Sequence, residues 1–120
     1  MSSKHGSLWL EREDIGEVTV VRLKTPKVID DDVVREVFDL IAGLSSVGRN
    51  KLVLNLNAVH HLPSLGLGKL VMLNRKTQAA NGRLALCHIT PEFQIELDTT
   101  RLKELFDISA TEPEAVQSFA

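Results

Sequence analysis

Residues 51–76 read KLVLNLNAVHHLPSLGLGKLVMLNRK, and a change of period inside this stretch decides the fold. Leu52, Leu54 and Leu56 alternate with Val53 and Asn55, which is a strand with its leucines on one face. From Leu65 the period lengthens. Leu67, Leu70, Leu73, Asn74 and Thr77 fall on one side of a helix expected over Leu65–Ala80. Pro63 confines Leu62 to an extended conformation and sharpens the switch. Ser64 stands where the helix begins and is its expected N-cap, able to accept from unpaired N–H groups of the first turn. Gly66 and Gly68 each cost about 1 kcal/mol of helix propensity relative to Ala. Such a start calls for close backbone packing, or for open approach by another molecule.

Toward the amino terminus, Val18–Leu23 is a β-branched strand, entered through the turn residues Asp14-Ile15-Gly16 and closed by Thr25-Pro26-Lys27. Leu8–Glu13 is a plausible first strand, and residues 1–6 read as a disordered tail. Between them and the central stretch, Val33, Val34, Val37, Phe38, Ile41 and Leu44 trace an amphipathic helix. Asp30, Asp31 and Asp32 precede it. Adjacent carboxylates lack the alternating ligand spacing of a cation loop, so they are read as cap and dipole partners rather than a metal site.

Toward the carboxyl terminus, Asn81-Gly82 ends the central helix and Arg83–Ile89 is a fourth strand. Pro91 opens a third helix with Phe93, Ile95 and Leu97. Leu102, Leu105 and Phe106 follow, then a weak extended piece at Ile108. Thr111-Glu112-Pro113-Glu114 is a capping box for a last helix, which Val116 and Phe119 could dock. The order β-β-α-β-α-β-α, with a weak final strand, predicts an α/β fold. It is a single domain over residues 7–120, with a mixed sheet of four to five strands.

Composition excludes several classes of function. The 120 residues are 43% apolar and 25% charged, with a net charge of -2, giving no electrostatic case for nucleic acid or membrane surfaces. No apolar run approaches the roughly 20 residues that span a bilayer. Cys87 is the one cysteine, so no internal disulfide forms and a cytoplasmic setting is expected.

No catalytic constellation emerges. His60 and His61 are neighbours in an extended segment, so they are expected to point to opposite sides and not to share a metal. Cys87 and His88 read as a buried thiol and its strand neighbour. Ser64 lacks a Gly-x-Ser-x-Gly elbow, and Leu65-Gly66-Leu67-Gly68 lacks the third glycine and the Lys-Ser/Thr ending of phosphate loops. No cofactor is implied. The side of the second helix opposite its core face carries Leu65, Gly68, Lys69, Met72, Arg75 and Lys76. An exposed apolar pair, Leu65 and Met72, rimmed by cations is the pattern of a protein-contact surface.

From Lys51 to Ile108 the chain resembles STAS domains, the fold of anti-sigma factor antagonists. Their pattern is an apolar strand ending near Asp-Ser-Ser-Gly-Leu-Gly, then a helix, Gly-Gly-Arg-Leu, and a late Thr-Gly-Leu-x-x-Leu-Phe. Here Pro63-Ser64-Leu65-Gly66-Leu67-Gly68, Asn81-Gly82-Arg83-Leu84 and Thr100-Arg101-Leu102-Lys103-Glu104-Leu105-Phe106 stand in those places. The resemblance implies a STAS-type sheet with helices mainly on one face. It also implies a partner switch, in which the unphosphorylated antagonist binds an anti-sigma factor of the serine kinase type. Phosphorylation of the motif's second Ser breaks that complex. A phosphate adds about 1.5 to 2 negative charges, which a close apolar interface cannot accommodate. Here Leu65 occupies that position and Pro63 replaces the Asp. Either the switch has moved to Ser64, the candidate phosphorylation site, or it has been lost and the chain is a constitutive STAS scaffold or transporter-associated module without a phosphorylation switch. The expected partner surface is Ser64, Leu65, Gly68, Lys69 and Met72, with Asp30 on the Thr25–Asp32 loop alongside.

Overall fold

The computed structural model describes residues 2–6, 9–27 and 29–120. Among these residues, six strands run in sheet order β1 to β6: Ser2–Gly6, Leu10–Ile15, Val18–Leu23, Lys51–Asn55, Arg83–Cys87 and Asp107–Ser109. The first three are antiparallel, and β3 to β6 are parallel neighbours. Four α-helices connect or follow them: α1 Asp31–Ser46, α2 Ser64–Ala79, α3 Pro91–Thr99 and α4 Glu112–Gln117, with a 3-10 turn at Leu102–Leu105.

The alternation in β4 is the organising fact. Leu52 and Leu54 enter the main core with Val21, Leu84 and Leu86. Onto that face pack α1 through Val34, Val37, Phe38 and Ile41, α2 through Leu70 and Leu73, and α3 through Phe93 and Leu97. Val53 points the other way, into a smaller cluster with Val18, Val20, Ala85 and Cys87. Among the described residues, the six-residue α4 covers that side, through Ala115 with Val116 and Phe119 against it. Parallel strands buried on both faces need apolar residues at successive positions, and β3, β4 and β5 supply them.

The fold class is the expected one, with five strands where the sequence places them. The sixth corrects the expectation of a disordered tail: Ser2–Gly6 pairs antiparallel with β2, Ser2 opposite Ile15 and Gly6 opposite Glu11. This ladder uses backbone groups along the outer edge of β2, so it needs no apolar alternation to form. Met1 of the expected tail, Leu8 of the expected first strand and Val28 of the Thr25–Asp32 loop lie outside the described residues.

Asp30 caps α1, accepting from the Val33 N–H at 2.9 Å, with Asp31 and Asp32 in the first turn. The last turn of α1 has no cation of its own. Lys76 of α2 supplies one, its Nζ donating to the Ala42 carbonyl at 3.3 Å and to Ser46 Oγ at 3.0 Å. A cation there complements the negative end of the helix dipole.

Candidate protein-contact site

The link between β4 and α2 is short and firmly held. Leu56, Val59 and Leu62 are buried along it. The Leu56 N–H donates to the Cys87 carbonyl at 3.1 Å, and Thr90 Oγ1 donates to the Val59 carbonyl at 2.7 Å. The His60 N–H donates to the Lys27 carbonyl at 3.1 Å, tying the β3–α1 loop to the approach of α2. Glu96 of α3 accepts from the Leu62 N–H at 3.0 Å and pairs through its other oxygen with His61 Nδ1. His60 Nδ1 stands 3.2 Å from Glu92. The two histidines therefore both reach α3, against the expectation that they diverge. They meet carboxylates one helical turn apart, because the link bends over the start of α3 instead of staying extended.

Pro63 takes the N-cap position of α2, with φ −66 and ψ 167, and its carbonyl accepts the first helical bond, from Leu67 at 3.1 Å. Ser64 is consequently the first helical residue, not the cap. It is exposed and makes no capping bond. The proline ring fixes φ where the entry needs it, so no side chain is required to start the helix.

The two glycines do opposite things. Gly66 is buried; a Cβ there would stand 3.1 Å from Leu62 Cδ2 and 3.3 Å from Val34 Cγ2. Gly68 faces out, and a Cβ there would meet nothing within 4 Å. The close approach at Gly66 brings the first turns of α1 and α2 together, and with them the capping Asp30.

Leu65 and Met72 do not form the exposed pair expected. Met72 is 68% exposed, whereas Leu65 is half-buried against the main core. Angular position alone does not register that Leu65 packs against the edge of the main core. Leu67, expected in the core, is likewise half-buried on the other flank. Two depressions lie on either side of Met72 and Lys69. One, about 230 Å³, is lined by Phe38, Asp39, Ala42, Leu73 and Lys76. The other, about 580 Å³, is walled by Leu65, Leu67, Val71 and Leu102 with Gly68 and Arg75. Val71 and Leu102 are additions that the sequence reading missed. Leu102 comes from the 3-10 turn, and only the tertiary fold sets it beside α2.

On the opposite face of the sheet a polar cluster occupies the carboxyl ends of β3 to β5. Arg22 makes a bidentate pair with Glu112 at 2.8 and 2.7 Å and a third bond to Glu13 at 2.8 Å. Asn55 Nδ2 donates to the same Glu112 oxygen at 3.1 Å, and His88 Nε2 accepts from the Glu112 N–H at 3.1 Å. The Arg22 guanidinium holds the Glu112 carboxyl below the usual carboxylate range. Cys87 lies beside this cluster, buried, with its thiol pushed up to about 12 chiefly by burial and further by the Glu112 charge. A thiol so far from ionisation is a poor nucleophile. The cluster fastens α4 and offers no open site.

The STAS domain family model matches residues 10–115. The chain belongs to the STAS domain family. No curated protein sequence matches it. Among solved structures, this STAS domain is similar to an anti-sigma factor antagonist from Mycobacterium paratuberculosis, with a TM-score of 0.76 and 22% identity over 98% of this chain and 93% of that one. An anti-sigma factor antagonist STAS domain protein from Planctomyces limnophilus gives 0.81 at 19% identity, over 92% and 97% of the two chains. The Bacillus cell fate determinant SpoIIAA in its phosphorylated form gives 0.70 at 21%, over 92% and 99%. These identities carry the STAS fold.

Proposed function

We propose that this STAS domain is a non-enzymatic, cytoplasmic regulator of transcription. It acts as an anti-sigma factor antagonist that binds a protein partner, an anti-sigma factor of the serine kinase type, through the amino-terminal half of α2. One observation carries the reading: residues 64–72 of α2 present exposed Ser64, open Gly68 and exposed Met72 beside half-buried Leu65 and Lys69. Asp30 caps the neighbouring helix on the same side. Neighbours of the same fold that are anti-sigma factor antagonists support it.

The residues also bear on the switch. Leu65 has no hydroxyl, so the motif's usual phosphate acceptor is gone. Ser64 is exposed and its hydroxyl is not engaged in a cap. A phosphate on it would place about 1.5 to 2 negative charges beside Leu65 and Gly68. The second reading, a constitutive STAS module with no phosphorylation cycle, is favoured by Leu65 alone.

The test is calorimetric titration of the chain with its host's kinase-type anti-sigma factor, followed by incubation with ATP and mass mapping of any phosphate. Antagonist action requires a complex that forms with the wild type and is lost in Met72→Asp. Phosphate on Ser64, absent from Ser64→Ala, supports the relocated switch. A complex with no phosphate supports the constitutive module, and no complex with any kinase-type anti-sigma factor of the host refutes the antagonist reading.

A further inference from the structure

The surface of α2 specifies more about its partner than that it is a protein. Four residues at i, i+3, i+4 and i+7 outline the hole on a helix that receives one side chain of an opposing helix. Gly68 belongs to three such sets within α2, Ser64–Leu67–Gly68–Val71, Leu65–Gly68–Lys69–Met72 and Gly68–Val71–Met72–Arg75. It lacks a Cβ, and the space a Cβ would occupy is open, so each of these holes is deepest at this residue. Around it stand the apolar walls of the larger depression, Leu65, Leu67, Val71, Met72 and Leu102. Such a concavity on one helix fits a convex apolar side chain on another.

Charge supplies the second property. α2 contains no Asp or Glu and three cations, Lys69, Arg75 and Lys76, in a chain whose net charge is -2. Lys76 is turned toward the end of α1. Lys69 and Arg75 both line the depression and make no ion pair among the described residues. Asp39 lines the smaller depression beside Lys69, yet a partner carrying cations in the larger one would meet like charge at Lys69 and Arg75, whereas carboxylates would find partners at the rim. The apolar walls disfavour a phosphodiester backbone in the same place.

We infer that the depression at Gly68 receives an acidic amphipathic helix of the partner protein, with one large apolar side chain over Gly68 and carboxylates flanking it at Lys69 and Arg75. The inference rests on the reading of α2 as the contact face, and adds the chemistry of what docks there.

Two synthetic helical peptides test it, equal in length and apolar stripe, one with Glu and the other with Lys at the flanking positions. Binding to the whole chain is read by fluorescence anisotropy. The Glu peptide is expected to bind about tenfold tighter or more, with the difference shrinking as salt rises. Gly68→Leu, which fills the hole, and the double variant Lys69→Glu/Arg75→Glu should each weaken the Glu peptide by about tenfold. Gly68→Ala should do so less, with a thermal midpoint no lower than wild type. Equal binding of the two peptides overturns the inference, as does Gly68→Leu binding like wild type. An anti-sigma factor that binds Gly68→Leu and the charge-reversed variant as tightly as wild type also overturns it, while leaving the antagonist reading standing. Peptides that discriminate as expected support it even where no anti-sigma factor binds, a result that would refute only the antagonist reading.

Discussion

Gly66 and Val34 set how closely α2 approaches α1: a Cβ on the glycine would stand 3.3 Å from Val34 Cγ2, with Leu62 Cδ2 at 3.1 Å on its other side. Two helix positions apart, Gly68 has no neighbour within 4 Å of the same point. The pair gives a clean test. Gly→Ala in a helix gains about 1 kcal/mol of propensity, and overpacking costs roughly 1–3 kcal/mol. Gly68→Ala should therefore stabilise by up to about 1 kcal/mol. Gly66→Ala should destabilise, by about 1 kcal/mol net, since Leu62 and Val34 must both give way. Urea unfolding of the two variants checks this, and a more stable Gly66→Ala would mean that α1 and α2 are not in tight contact there.

The half-buried position of Leu65 alters which substitution isolates binding from folding. Leu65→Asp places a carboxylate against the core edge and should cost about 1–3 kcal/mol of stability. Met72→Asp changes a side chain that is 68% exposed and should stay within about 0.5 kcal/mol of wild type. Thermal melts of both, run beside partner titrations, should show Met72→Asp losing binding with an unchanged midpoint and Leu65→Asp losing both.

The Arg22–Glu112 pair predicts an acid dependence. Its side chains are 24% and 17% exposed, so the bond is only partly screened. The carboxyl of Glu112 is held below its ordinary value in the folded chain, first by its bonds to Arg22. A depressed carboxylate contributes stability that is present above its unfolded pKa and is lost as pH falls through the folded one. Glu112→Gln should cost about 2 kcal/mol near neutrality. It should also flatten the stability profile below the ordinary carboxylate range, as read by denaturant titrations at a series of pH values. A variant as steep as wild type in acid would contradict the assignment.

Cys87 should be silent in the native state. Its thiol is buried and raised to about 12, so a disulfide reagent at pH 8 should label it only at the rate of global unfolding. Stoichiometric labelling within seconds of mixing, without denaturant, would show the thiol to be accessible.

Much of this architecture can be read along the chain because the period changes are local. The leucines of β4 alternate, the apolar residues of α1 repeat at helical spacing, and Asp30 caps where it should. What escaped is non-local. β1 pairs with β2 through a backbone ladder, and SSKHG carries no apolar alternation to signal it. Ser64 looked like the cap because nothing in the sequence shows that the Pro63 carbonyl accepts the first helical bond. The half-burial of Leu65, the presence of Leu102 beside α2 and the attachment of His60 and His61 to Glu92 and Glu96 all depend on elements brought together by folding. Arg22 and Glu112 are 90 positions apart, and only the α4 docking joins them. The glycines at the start of α2 were legible as a question, and their division into one packed and one open position answers it.

The most direct test of the contact face is residue-resolved. Amide resonances of the labelled chain would be followed by NMR during titration with the host's kinase-type anti-sigma factor. Perturbations are expected to concentrate on residues 64–72 of α2 and on the loop ending at Asp30. Perturbations confined instead to α4 and the polar face around Arg22 and Glu112, with α2 unmoved, would contradict that expectation.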